Sequence, residues 1–178
     1  MNIGIRINGS DDQTNNSQIE KYCYNNDDDN CYEYGGLYQW EEMMGYSTIQ
    51  GTQGICPSGW HIPTDDEWKT MEMYLDMSQN QANQTGWRGA DQGVRLKSTY
   101  DWFNNGNGNN ISGYTGLPGG SGTPDGVYYK LTKSGYWWGS NELNSTDAWY
   151  RLLDYNSDQV YRNTTDMDNG FSIRCVNN

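Results

Sequence analysis

The sequence predicts an α+β domain on three observations. One amphipathic helix with clear start signals opens at Thr64, and a series of short alternating segments fills the C-terminal half. Twenty-two glycines in 178 residues favour turns and short strands over long helices.

Taken in order, Gly4-Ile-Arg-Ile7 alternates as a short strand, and Lys21-Tyr-Cys-Tyr24 is a second candidate. Leu37, Trp40 and Met44 recur at helical spacing, so 37–45 is expected to form a first helix ending at Gly45. Residues 50–55 read as loop. The second helix, 64–76, is the best specified. Thr64 is a good N-cap, Glu67 completes a capping box, Pro63 disfavours helix upstream, and Asp65 and Asp66 suit the positive end of the helix dipole. Trp68, Met71 and Leu75 then share one face, which should pack on a core.

Residues 77–93 read as a polar connection pinned to the body by Trp87. Residues 101–126 read as a long excursion, with turn chemistry at nearly every position of Asn104-Asn-Gly-Asn-Gly-Asn-Asn110. Strands are expected at 127–132, 136–140, 148–154, 159–163 and 171–176, with 154–158 linking two of them as a hairpin. Simple repeats and dividing linkers are absent, so one domain over 1–178 is expected.

Composition narrows the function classes. Hydrophobic residues make up only 34%, yet eight Trp and fifteen Tyr argue against disorder. The excess of Trp and Tyr over two Phe favours half-wet surfaces, where a ring packs and its polar end reaches water. A formal charge of −12 with scattered cations would repel phosphate, so nucleic acid is not an expected partner. No apolar run approaches a membrane span, so no membrane insertion is expected. Met1 is read as a trimmed boundary from which an upstream targeting signal could have been lost; the alternative, a cytosolic protein that starts at Met1, is less favoured by the cysteines.

The four cysteines allow three pairings. Cys23 and Cys31 flank the polar loop Tyr24-Asn-Asn-Asp-Asp-Asp-Asn30, which a local bridge would close. Cys56 and Cys175 would then tie the approach to the second helix to the last strand. Zinc is the rival reading and fails on spacing, since no Cys-x-x-Cys occurs and His61 is the one histidine. Two disulfides imply an oxidising compartment, hence an extracellular or cell-surface location.

Several motifs occur in a set order. They are Gly35-Gly-Leu-Tyr-Gln-Trp40, Cys56-Pro-Ser-Gly-Trp-His-Ile-Pro-Thr-Asp-Asp-Glu-Trp68, Gly113-Tyr-Thr-Gly-Leu-Pro-Gly119, Trp137-Trp-Gly-Ser140, Ala148-Trp-Tyr-Arg151 and Gly170-Phe-Ser-Ile-Arg-Cys-Val176. Together they resemble the Fibrobacter succinogenes major paralogous domain. The resemblance implies a C-type lectin-like fold: two helices packed on twisted antiparallel sheets, with long loops. It also implies secreted or surface proteins of bacteria, and it leaves their molecular role open.

Sugar-binding C-type lectins hold calcium with Glu-Pro-Asn or Gln-Pro-Asp plus Trp-Asn-Asp. Here Thr123-Pro-Asp-Gly126 and Trp138-Gly-Ser-Asn141 match neither, so no metal or cofactor is expected. Formylglycine-generating enzymes share that fold class and need reactive cysteines, whereas all four cysteines here have a bridging assignment. His61, between Trp60 and Ile62, reads as a packed histidine bonded to backbone rather than as a catalytic base. No catalytic residue is expected.

Binding has more support. Trp138, Asn141, Asn144, Tyr155, Asn156, Asp158, Tyr161, Asn163, Thr164 and Asp166 give the 137–168 region the Tyr/Asn/Ser/Asp character of recognition loops. The same residue types result when adenines of Asn codons are substituted, as in variable proteins of diversity-generating retroelements. Alternation puts Val160 and Arg162 on one face and Gln159, Tyr161 and Asn163 on the other. Trp138, Tyr155 and Tyr161 should therefore be exposed, and Trp149, Val160 and Ile173 buried. The resulting expectation is a secreted or cell-surface adhesin-like module without catalytic activity, which binds a protein or glycan on another surface. A structural or fibre-forming surface protein is the alternative, and a formylglycine-type or carbohydrate-active enzyme has less support.

Overall fold

The computed structural model describes residues 1–178 as a mixed α and β structure built around one four-stranded antiparallel sheet. The N-terminal region holds β1 (Ile5–Arg6) parallel to β2 (Glu20–Lys21), then α1 (Asp28–Tyr34) and α2 (Trp40–Met43). The middle contributes β3 (Trp60–His61), α3 (Asp65–Tyr74), α4 (Gln79–Ala82), β4 (Gly86–Arg88) and α5 (Gln92–Leu96). A small hairpin, β5 (Ser121–Gly122) with β6 (Tyr128–Tyr129), precedes β7 (Ser134–Glu142), β8 (Asp147–Asp154) and β9 (Val160–Asp166). The chain closes with β10 (Val176–Asn177), antiparallel to β3. The main sheet runs β4-β9-β8-β7.

Five short helices stand where two were expected. The supposed polar loop between Cys23 and Cys31 is a helix start: the Asp27 side chain accepts from Asp29 N at 3.0 Å, and Asp28 and Asp29 sit in the favourable first turn. The expected helix 37–45 shrinks to one turn. Leu37 and Tyr38 instead pair with Tyr22 and Phe171, so distant strands take the hydrogen bonds that a longer helix would have used. The supposed polar connection 77–93 contains two elements and the start of a third. Its signal was Ser78 with Gln81, a second capping box.

The capping box at Thr64 and Glu67 forms as expected, and α3 covers one face of the sheet. Cys23–Cys31 and Cys56–Cys175 are both bridged. The glycine-rich run after Trp102 packs closely: a Cβ on Gly106 would stand 2.2 Å from Tyr155 O, and one on Gly108 2.3 Å from Val94 O. Only glycine fits there.

Strand pleating divides the core in two. Neighbouring Trp137 and Trp138 point to opposite faces and are both buried. On the α3 side Trp137 joins Trp68, Leu75, Leu96, Leu153 and Val160. On the other side Trp138 joins Tyr38, Trp40, Met43, Phe171 and Ile173. Trp138 Nε1 donates to Tyr38 O at 2.9 Å, and Trp40 Nε1 donates to Gly139 O at 2.9 Å, so both indoles are satisfied.

Between α3 and the sheet lies a layer of buried charge. Asp65 accepts from Arg151 Nη1 (2.8 Å), Arg162 Nε (2.8 Å) and Arg162 Nη2 (2.7 Å), and pairs with Lys69 Nζ at 2.8 Å. Glu72, 0% exposed, accepts from Arg151 Nε at 2.7 Å and takes a two-pronged contact from Arg88 at 2.6 and 2.9 Å. Burial works against the Asp65 carboxylate, but Arg162, Arg151 and Lys69 hold it far below the usual range. Its contribution to stability is therefore present above the ordinary carboxylate pKa and lost only in strong acid. Arg162 also lies 3.7 Å from the centre of the Trp149 ring. Trp149, expected in the core, is only half-buried under that cation.

Two outcomes are expected in urea unfolding. Arg151→Met leaves two buried carboxylates short of a partner and should cost about 3–5 kcal/mol. The Cys56→Ser, Cys175→Ser double variant releases a loop of sequence separation 119 and should cost about 4–5 kcal/mol on chain entropy.

Candidate binding surface

Two faces of the sheet end differently. α3 seals one with charge and apolar packing; the other is covered only in part. On this second face, register aligns Trp138 with Tyr150, Tyr150 with Asn163, Tyr136 with Leu152, Leu152 with Tyr161, and Tyr161 with Trp87. The Phe171 segment covers the β7 end, where its ring lies 4.9 Å from Tyr136, 4.4 Å from Trp138 and 5.2 Å from Tyr150. Beyond Tyr150 the face opens: Leu152, Tyr161 and Asn163 are half-buried, and Trp87 is 41% exposed.

An aromatic row therefore crosses all four strands. Ring centres are 5.2 Å apart for Trp87–Tyr161, 6.1 Å for Tyr161–Tyr150 and 6.2 Å for Tyr150–Tyr136, each within the range of favourable aromatic pairs. Burial pushes the Tyr150 and Tyr136 phenols up, so both stay neutral donors at any physiological pH. Asn163 donates to Tyr161 Oη at 3.1 Å and orients that hydroxyl at the open end.

The ten positions singled out from sequence do not form one site. Trp138 is 0% exposed and belongs to the core, because the Phe171 segment covers its end of the sheet. Asn141 holds the start of α3: its Oδ1 accepts from Asp65 N at 2.7 Å, and its Nδ2 donates to Gln50. Asn144 closes the β7–β8 hairpin by accepting from Thr146 N (2.8 Å) and Asp147 N (2.9 Å). Asp166 accepts from Asp168 N at 2.9 Å in a tight turn, and Thr164 lies on the α3 face. Tyr155, expected to be exposed, is half-buried with its ring 5.3 Å from Phe103. Asn156 and Asp158 are exposed in the β8–β9 turn, at the far end of β8 from Asn144, a separation of roughly 25 Å along the strand.

Only Tyr161 and Asn163 lie on the open aromatic face, with Tyr161 half-buried rather than fully exposed. Val160 and Ile173 are buried as expected. Trp87, Tyr136 and Tyr150 were missed. Alternation from the buried Arg151 would have placed Tyr150; Trp87 depends on a long-range pairing that its local sequence does not announce.

Glu42, His61 and Glu67 are engaged within the fold. No group of three His, Cys, Asp or Glu side chains is placed to hold a metal ion. Glu42 is pushed up by burial, but it accepts from Glu20 N at 2.9 Å and from the Tyr46 hydroxyl at 2.7 Å. His61 bonds side chains rather than backbone: Nδ1 faces Asn178 Oδ1 at 2.7 Å and Nε2 faces Glu67 Oε1 at 2.8 Å. Two oxygen acceptors favour the doubly protonated ring, so Asn178 first and Glu67 second raise its pKa. Burial opposes the Glu67 carboxylate, but Thr64 and His61 hold it below its ordinary range.

The Fibrobacter succinogenes major domain model matches residues 2–177. The chain belongs to that family. No curated protein and no solved structure matches the chain. In this member of the Fibrobacter succinogenes major domain family the motif residues Thr64, Glu67, Trp137, Trp138 and Arg151 are cap, core and buried counter-ion.

Because the folded His61 pKa is raised, the stability it adds is complete below the ordinary histidine pKa and lost as pH rises through the raised value. His61 should therefore contribute a decline in thermal midpoint as pH rises above the ordinary histidine value. His61→Gln should remove that decline, and an unchanged profile would show that the imidazolium does not hold β3 to β10.

Proposed function

We propose that this domain is a recognition module displayed outside the cell, which grips a partner surface through the open aromatic face and has no catalytic activity. The observation that supports this most is the row Trp87–Tyr161–Tyr150–Tyr136, half-wet and adjoined by Asn163. Large rings already held by their neighbours give contact area at low entropy cost, as recognition surfaces require. The partner is a protein or glycan carried on another surface.

The absence of catalysis is supported by how the reactive groups are used. The four cysteines are bridged, and Asp65 and Glu72 are saturated by guanidinium groups. The location outside the cell is supported by the two disulfides, and no helix is long and apolar enough to cross a membrane. A C-type lectin-like architecture is the finer fold reading. It is supported by the return of β10 to β3, the capped α3 and the antiparallel sheet of the C-terminal half. Diversification suits Tyr161 and Asn163 on the open face and Asn156 and Asp158 in the exposed turn; it does not suit Trp138 or Asn141, which hold the fold.

A glycan array and intact bacterial cells would supply candidate ligands. Replacing Trp87 and Tyr161 with Ala should weaken the binding so detected by about 1–3 kcal/mol per ring, with the unfolding midpoint nearly unchanged. Undiminished binding by a folded double variant would remove the aromatic face from the function.

A further inference from the structure

On the other side of the sheet from the aromatic row, a groove of about 600 Å³ runs between α3 and the segment Arg174–Val176. Trp68, Met71 and Tyr74 line it from the helix, Tyr114 from the preceding excursion, and Arg174 and Cys175 from the C-terminal segment. Its size is that of a small-molecule site, and its walls are mainly apolar. Tyr74 is 87% exposed and pairs with no other ring.

Charge and hydrogen bonding set this groove apart from a packing defect. In a chain of formal charge −12, Arg174 makes no ion pair. Its guanidinium lies 4.8 Å from the Tyr114 ring centre and makes one hydrogen bond, from Nη2 to Thr115 O at 2.8 Å. Most of its five donors are thus unspent. The groove's carboxylate, Glu67, is committed to Thr64 and His61. One buried polar atom of a lining residue, Trp68 Nε1, has no hydrogen-bond partner. Trp68 is itself 4% exposed, so water does not compensate its indole N–H.

We propose that this groove binds a small amphipathic carboxylate, its apolar part against Trp68, Met71 and Tyr74 and its carboxylate on Arg174. An apolar slot with one unspent planar cation is complementary to that ligand class: the hydrocarbon gains burial, and the two carboxylate oxygens match the guanidinium fork. A cationic ligand would meet Arg174 unfavourably, and a neutral one would leave its donors unused.

Titration calorimetry with octanoate, octan-1-ol and octylamine tests this. Octanoate should bind saturably, with octanol weaker by about tenfold or more and octylamine weaker still. Arg174→Met should reduce octanoate to the octanol level and leave octanol unchanged. Thr70→Glu, at an exposed helix position lining the groove, should weaken octanoate alone, and it keeps the test open if Arg174→Met fails to fold. No saturable octanoate binding, or equal affinity in both folded variants, would overturn the proposal. So would concentration-dependent dimerisation in sedimentation that Tyr74→Asp abolishes, since a second copy would then fill the groove. The Trp87→Ala, Tyr161→Ala variant, altered on the opposite face, should bind octanoate as the parent does, so the two proposals fail separately.

Discussion

The charge layer beneath α3 constrains the whole domain. Asp65 and Glu72 project from one helix into a region without water, where an uncompensated carboxylate would be costly. Their arginine partners come from three strands: Arg88 on β4, Arg151 on β8 and Arg162 on β9. A slip of one residue in any of these strands would turn its guanidinium to the opposite face and leave a carboxylate unpaired. Sheet register, strand order and the seating of α3 are therefore one problem with one solution. Apolar packing alone would tolerate several near-equivalent arrangements; two carboxylates that need particular donors do not.

The same pleat that aims the arginines sends Trp137 and Trp138 into separate cores, and the C-terminal segment ties those cores together. Phe171 closes part of the aromatic face, Ser172 pairs with β7, Cys175 is bridged to Cys56, and Val176 pairs with His61 on β3. Within six residues this segment edges both surfaces considered for binding, with Phe171 at the end of the aromatic row and Arg174 at the rim of the groove. Its position rests on the bridge and on the His61 contacts, so the two surfaces share a support although they face opposite ways.

That arrangement explains why the polar positions singled out from sequence do not gather on one surface. Asn141, Asn144 and Asp166 each spend their side chains on backbone groups at turns or helix starts, where short polar side chains are most useful to the fold. The half-buried tyrosines and Trp87 have surface to spare, because the sheet offers more aromatic area than the Phe171 segment covers. The proposed recognition surface is accordingly made of rings held by the sheet rather than of loops.

Local chemistry decided much by itself. The capping box at Thr64 and Glu67, the alternation of Val160 and Arg162 against Tyr161 and Asn163, the 154–158 hairpin and both disulfide pairings were legible, since each depends on a few neighbouring residues or on simple loop closure. Family membership was legible for a related reason, as six motifs in fixed order span almost the whole chain. What only the tertiary structure decided was which face each side chain finds already occupied. Asp65 looked like a dipole residue and is a buried counter-ion; Trp138 looked exposed and is core. Trp87 looked like a pin and ends an open aromatic row. The physical reason is the same in each case: spacing along a strand tells which side chains share a face, but what covers that face comes from residues far away in the chain.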